Sequence, residues 1–194
     1  MISHKFDDYD DVLNKQRNVV YYERRQILES KSVRNLILGY GEQVIIDIIR
    51  EIRKNSFKST KALFFLESLF GTHLTLNLFK KYGYNYLMLD SFELEIYLFQ
   101  EFWLSYELKS LELEVYKPGI ISALERTIIL LAIDNIWKEH LQKMSILRDS
   151  VGWRGYGQRN PLFEYKEEAY NLFQTMGRTI RSLVIFDVMR SKII

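Results

Sequence analysis

The stretch IDNIWKEHLQKMSILRDSVGWRGYGQRNPLFEYKEEAYNLFQTM, residues 133–176, decides the fold. Ahead of its glycines, Leu130, Ile133, Trp137, His140, Met144, Leu147 and Val151 advance by alternating steps of three and four, the spacing of a coiled-coil seam. Beyond them Ala169, Phe173, Met176, Ile180 and Leu183 resume the same steps. Between the two seams, Gly152, Gly155 and Gly157 can supply turn conformations, Asn160 can cap a helix and Pro161 can open one. The pattern predicts a long antiparallel two-helix hairpin packed by Trp137, Met144, Leu147, Phe173 and Met176. Its arms run from Pro118 to Val151 and from Pro161 to Ile194, each ~50 Å at the helical rise per residue.

Working outward, the chain divides into three stretches: 1–54, 55–117 and 118–194. The first reads as helix, with Asp7, Asp8, Asp10 and Asp11 near its start, where the helix dipole favours negative charge. Val33, Leu36, Ile37, Tyr40, Val44, Ile48 and Ile52 keep helical spacing. Gly39 and Gly41 interrupt this run and predict a kink or a close helix contact. The second stretch is rich in aromatics, from Phe64 and Phe65 through Phe92, Tyr97, Phe99, Phe102, Trp103 and Tyr106. Large rings filling a small helical core explain them better than a cofactor box does. Pro118 and Gly119 mark the next boundary, with the proline expected in the first helical turn. The fold expected is all-α: a long scaffold helix, a small helical wing and the hairpin.

Composition narrows function by exclusion. With 47% hydrophobic and 27% charged residues the chain can build a sizeable core. The absence of cysteine removes disulfides, thiolate metal sites and cysteine nucleophiles. A net charge of +2 identifies no partner. The acidic opening MISHKFDDYDD lacks the order of a signal peptide and reads as mature. The longest apolar run, Ile128 to Ile133, is far short of the ~20 residues of a membrane span. No phosphate-binding G-x-x-x-x-G-K-[ST] sequence is present, and the glycines around Tyr156 lack the strand-to-helix setting of a dinucleotide loop. WKEHLQKM lacks the second histidine of a zincin helix. His140, on the seam, reads as a hydrogen-bonded core residue, and Glu139 with Lys143 as a surface pair. No catalytic or metal-ligating set emerges.

What remains is the hairpin tip, where Trp153, Arg154, Tyr156, Gln158 and Arg159 combine cations and aromatics with no acidic residue. Two readings stand side by side: the tip contacts a partner, or Trp153 and Tyr156 fold back on the hairpin while the arginines are solvated. A nucleic-acid contact through arginine and stacked rings is disfavoured by the short basic cluster and the near-balanced charge.

Two runs resemble SecA, the ATP-driven motor family that pushes unfolded preproteins through the SecY channel. YDDVLNKQRNVVYYERRQIL, residues 9–28, is similar to the start of that family's helical scaffold, and residues 133–176 are similar to its two-helix finger and loop. The region between them matches the helical wing weakly. The resemblance implies that Tyr9, Asp10, Asp11, Asn14, Gln16 and Arg17 dock against the motor domains. It implies further that Tyr156, flanked by Trp153, Arg154, Gln158 and Arg159, touches the preprotein or the channel. ATP and Mg would be held by nucleotide-binding domains outside this sequence, so no cofactor, no metal and no enzyme activity are expected of the chain itself. The expected partners are those nucleotide-binding domains, SecY and unfolded preprotein, with peripheral membrane association through the channel and no nucleic acid. The richness in Ile, Tyr, Phe, Lys and Asn suits an AT-rich genome. The expected location is plastid stroma or bacterial or endosymbiont cytoplasm, at the thylakoid or inner membrane. The alternative reading is a free-standing helical interaction module, or a remnant, that has left the translocase.

Overall fold

The computed structural model describes residues 3–54, 90–154 and 160–192; the side chains of residues 3–8, 52, 91 and 152–154 are not among them. The described residues form five α-helices and no strand: α1 (Ser3–Glu29), α2 (Arg34–Lys54), α3 (Ser91–Tyr116), α4 (Ile120–Arg154) and α5 (Pro161–Arg190). The chain divides into two compact units. The first combines Met1–Lys31 with Ile129–Ile180, and the second combines Ser32–Ile128 with Arg181–Ile194. Most aromatics of the second sequence stretch lie in 55–89, outside the described residues.

The first unit is a bundle of α1, most of α4 and most of α5. Met144, Leu147, Val151, Tyr165 and Ala169 form a buried core, against which Tyr9, Val12, Leu13 and Leu172 pack. The hairpin is therefore not a bare two-helix finger over this length, because a third helix lies along it. As the residue on α1 advances from Asp10 through Gln16 to Arg24, its polar partner on α4 retreats from Arg148 through His140 to Asp134. The two helices run antiparallel, in one register.

The second unit packs α2 on α3. Ile37, Val44, Ile45 and Ile48 are buried on α2, and Leu94, Leu98, Phe102 and Leu113 on α3. At Gly41 the helices come close, since a Cβ built there would fall 2.1 Å from the Phe102 ring. At Gly39 such a Cβ would meet nothing within 4 Å. Of the two glycines, Gly41 is the close helix contact that the sequence allowed for.

Three boundaries differ from the sequence expectation. The opening stretch is broken at Ser30–Val33, where the Ser30 hydroxyl donates to the Ile27 carbonyl and the Ser32 hydroxyl accepts from the Arg34 amide. Serine hydroxyls compete well for backbone groups and so end one helix and start another. Pro118 stands before α4 rather than in its first turn. Gly119 takes the left-handed φ of +82° that proline cannot, and the Glu114 carboxylate accepts from the Gly119 and Ile121 amides, capping α4. At the other end α4 runs past Val151 to Arg154, so Gly152 lies within the helix. Asn160 and Pro161 act as expected: the Asn160 side chain accepts from the Leu162 amide at 3.0 Å and Pro161 is the first residue of α5.

The seam on α5 also ends early. Ala169, Met176 and Ile180 are buried, but Leu183 is 38% exposed and Val184 is fully buried in its place. Ile180 is the last residue of the first unit, and Leu183 and Val184 belong to the second, so the seam of the first unit ends before them.

Candidate functional site

Two sets of residues carry the functional reading: six on α1 and five at the hairpin tip. The first turns of α1 present two faces. On the inward face Tyr9 packs edge-on against Tyr165, with ring centroids 4.7 Å apart. Asp10 accepts a hydrogen bond from Arg148 at 3.0 Å. Gln16, only 8% exposed, reaches both arms of the hairpin. On the outward face Asp11 pairs with Lys15 at 3.2 Å and Asn14 accepts from Arg17 at 3.2 Å, contacts made within the helix itself. Asp11, Asn14, Asn18, Tyr21, Tyr22 and Arg25 share exposure on this side. The six residues thus do two jobs: Tyr9, Asp10 and Gln16 hold α1 to the hairpin, while Asp11, Asn14 and Arg17 line the side left open.

The buried polar junction in this unit is built from three helices. Gln16 Nε2 donates to the Ala169 carbonyl at 3.1 Å, and Gln16 Oε1 lies 2.8 Å from His140 Nε2. Only the amide nitrogen can donate to Ala169, which leaves the oxygen for His140, so Nε2 of the imidazole must carry the proton. His140 is 2% exposed, stacks on Trp137 at 5.4 Å and meets the edge of Phe173 at 5.8 Å. Burial, assisted by the charge of Lys143, pushes its pKa from the ordinary 6.5 down to about 4. Farther along, Arg24 and Asp134 form a two-pronged pair at 3.0 and 3.3 Å that holds the guanidinium pKa above its usual value. Of the hairpin-packing residues, Trp137, Met144, Leu147 and Met176 are buried and Phe173 is half-buried.

At the tip, Trp153 and Arg154 belong to the last turn of α4. Their side chains, and the whole of Tyr156, Gln158 and Arg159, lie outside the described residues. On the two arms Val151 is fully buried and Tyr165 is 2% exposed. Ile146 and Phe163 are each 68% exposed.

The second unit holds a polar cluster and an apolar surface that sequence reasoning missed. Glu125, 1% exposed, accepts a hydrogen bond from the Tyr106 hydroxyl. Burial raises the pKa of both groups, and for Glu125 this outweighs the opposing effects of the Tyr106 hydrogen bond and the Arg34 charge. Arg34 lies over the Tyr106 ring, 5.2 Å from its centroid, and pairs with Glu107. On α3, Phe92, Ile96, Trp103, Leu104, Leu108, Leu111 and Val115 are exposed at helical spacing. Phe92 and Trp103 were expected in the core. Because α3 is apolar on nearly every side, composition could not tell which rings would be covered. An exposed row of this kind marks a surface suited to contact with another body. Among the described residues no group of three potential metal ligands occurs, and no helix is long and apolar enough to cross a membrane.

Residues 4–192 match the family of the SecA wing and scaffold domain. The chain is 58% identical over 187 residues to the protein translocase subunit SecA of Thalassiosira pseudonana, covering 96% of this chain and 20% of that protein. It is 54% identical to the corresponding subunit of Phaeodactylum tricornutum, over 96% of this chain and 21% of the relative. With that of Pyropia yezoensis it shares 41% identity, again over 96% and 21%. The chain thus spans about a fifth of the length of these curated relatives. It belongs to the SecA wing and scaffold family.

Proposed function

We propose that this member of the SecA family is the non-catalytic scaffold, wing and finger portion of a preprotein translocase. In this reading the outward face of α1 receives the nucleotide-binding domains, and the tip around Tyr156 meets unfolded preprotein at the SecY channel. ATP and Mg bind those domains, and this chain passes their movement on. The observation that carries the reading is the three-helix bundle of the first unit. Because α1 is fastened to both arms of the hairpin at Gln16 and along its length at Asp10 and Arg24, a push on the open side of α1 moves the finger with it. A helix held only at one end would bend instead.

The tip suits a partner without fixed sequence: an aromatic ring with one hydroxyl can stack on many side chains and hydrogen-bond to backbone. The named relatives come from diatoms and red algae, which favours work on the stromal side of a plastid membrane, with attachment through the channel. The test is reconstitution. The purified chain should bind no ATP by calorimetry, and should bind the nucleotide-binding portion of the Thalassiosira relative in a manner weakened by Asn14→Arg or Asp11→Arg on the open side. Stoichiometric ATP binding by the chain alone, or no association with that portion, overturns the proposal.

A further inference from the structure

We infer that Gln16 and His140 form a register lock, a buried polar pair that fixes where the scaffold helix α1 sits along the finger. The inference holds whether or not the chain works in a translocase. It starts from a weakness of apolar seams. Side chains repeating every three or four residues fit almost as well after one helical turn of slip, because each knob finds another hole of similar size. On α1, Val12 and Leu13 pack against the similarly spaced Met144, Leu147 and Val151 of α4. Nothing in these shapes alone forbids a slip of one turn, about 5.4 Å.

The polar pair forbids it. Slipped by a turn, Gln16 would lose His140 and the Ala169 carbonyl together, leaving a buried amide and a buried imidazole without partners. Burying an unsatisfied polar group costs far more than a tolerant apolar mismatch, so a single polar pair in an apolar seam selects one register. The site is built for this use. Ala169 is fully buried and small, so nothing screens its carbonyl from the Gln16 amide, which bridges two helices at once. The flanking ion pairs, Asp10 with Arg148 and Arg24 with Asp134, share the register but are each 38% exposed or more, so salt screens them. The lock is the buried pair between them.

The chain contains no cysteine, so two introduced thiols carry two spin labels and no others. Labels at the exposed Asn18 on α1 and Asp149 on α4 are offset along the bundle, so a slip changes their separation. Electron spin distance measurements at about 1 M salt, where the screening length is ~3 Å, remove the ion pairs from the comparison. The otherwise unaltered chain should give one narrow distance. The Gln16→Met, His140→Leu double variant should keep its helicity and gain a second population displaced by about one turn, ~5 Å. His140→Gln, whose side-chain amide can still donate to the Gln16 oxygen while Gln16 keeps the Ala169 carbonyl, should retain the single distance. One unchanged distance in a folded double variant, two populations in the unaltered chain, or slippage in His140→Gln would each overturn the lock. Should the double variant lose its helicity, Gln16→Met alone, which removes both hydrogen bonds, decides: a second population supports the lock and one unchanged distance overturns it.

Discussion

The two units solve the same problem, packing long helices side by side, with opposite devices. In the first, three helices meet through large side chains and a neutral polar junction at Gln16 and His140. In the second, α2 and α3 approach where a side chain is missing, at Gly41 against Phe102, and the buried polar residues include an acid, Glu125. The first arrangement specifies position through hydrogen bonds that cannot be made elsewhere. The second specifies it through shape. The difference predicts that the first unit suffers most from lost volume and the second most from added volume.

The largest expected effect falls on the first unit. Trp137→Ala removes a ring that is 8% exposed and stacked on His140, and should lower stability by about 3–5 kcal/mol in chemical denaturation. An unchanged midpoint would mean that the hairpin does not depend on this seam.

Next comes the response to pH, where the two buried groups pull in opposite directions. His140 is neutral in the fold, so its contribution is complete above its ordinary pKa of 6.5 and is lost as pH falls toward 4. Between those limits the loss is at most about 3 kcal/mol. Glu125 has a raised pKa, so its contribution is fullest below its ordinary 4.5 and declines as pH rises through the folded value. The midpoint difference between His140→Gln and the unaltered chain should therefore shrink between pH 7 and pH 5, as the unaltered chain loses its advantage. The difference for Glu125→Gln should move the opposite way. Parallel trends would erase the contrast between the units.

A smaller effect sharpens the second unit's side of the comparison. Gly41→Ala places a methyl group inside contact distance of Phe102, an overpacking expected to cost about 1–3 kcal/mol, offset by the ~1 kcal/mol by which alanine favours a helix. Gly39→Ala meets nothing and should stabilise by about 1 kcal/mol or less. Thermal midpoints of the two variants should move in opposite directions, and equal shifts would show that α2 and α3 do not touch at Gly41.

The same contrast explains what could be read from residues alone. The hairpin was legible because its apolar residues recur at one period over many turns and its turn is marked by Asn160 and Pro161. His140 was legible as a core residue because it falls on that period. Its partner was not, since Gln16 lies over a hundred residues away and the resemblance assigned it to docking against the motor domains. The break after Glu29 was hidden because Ser30 and Ser32 act through local hydrogen bonds that compete closely with helix continuation. On α3, apolar residues on all sides gave no period to follow, so Trp103 could not be placed outside or Phe102 inside. At the tip, the mixture of rings and arginines was evident, but a mixture of residue types names a kind of contact and not its geometry.

The smallest expected effect on stability and the largest on function meet at one residue. Tyr156, between two glycines in the sequence, is expected to be a contact residue, so Tyr156→Ala should change the thermal midpoint little, within about 0.5 kcal/mol of stability. The decisive measurement places residues 4–192 of this chain into the Thalassiosira relative in place of the segment they match, and follows ATP-driven transfer of an unfolded preprotein into vesicles carrying SecY. The account predicts that the chimera translocates, and that Tyr156→Ala abolishes most of that transfer while leaving helicity and midpoint intact. A chimera that folds and hydrolyses ATP but moves no preprotein, or one that moves it equally well with Tyr156→Ala, would contradict it.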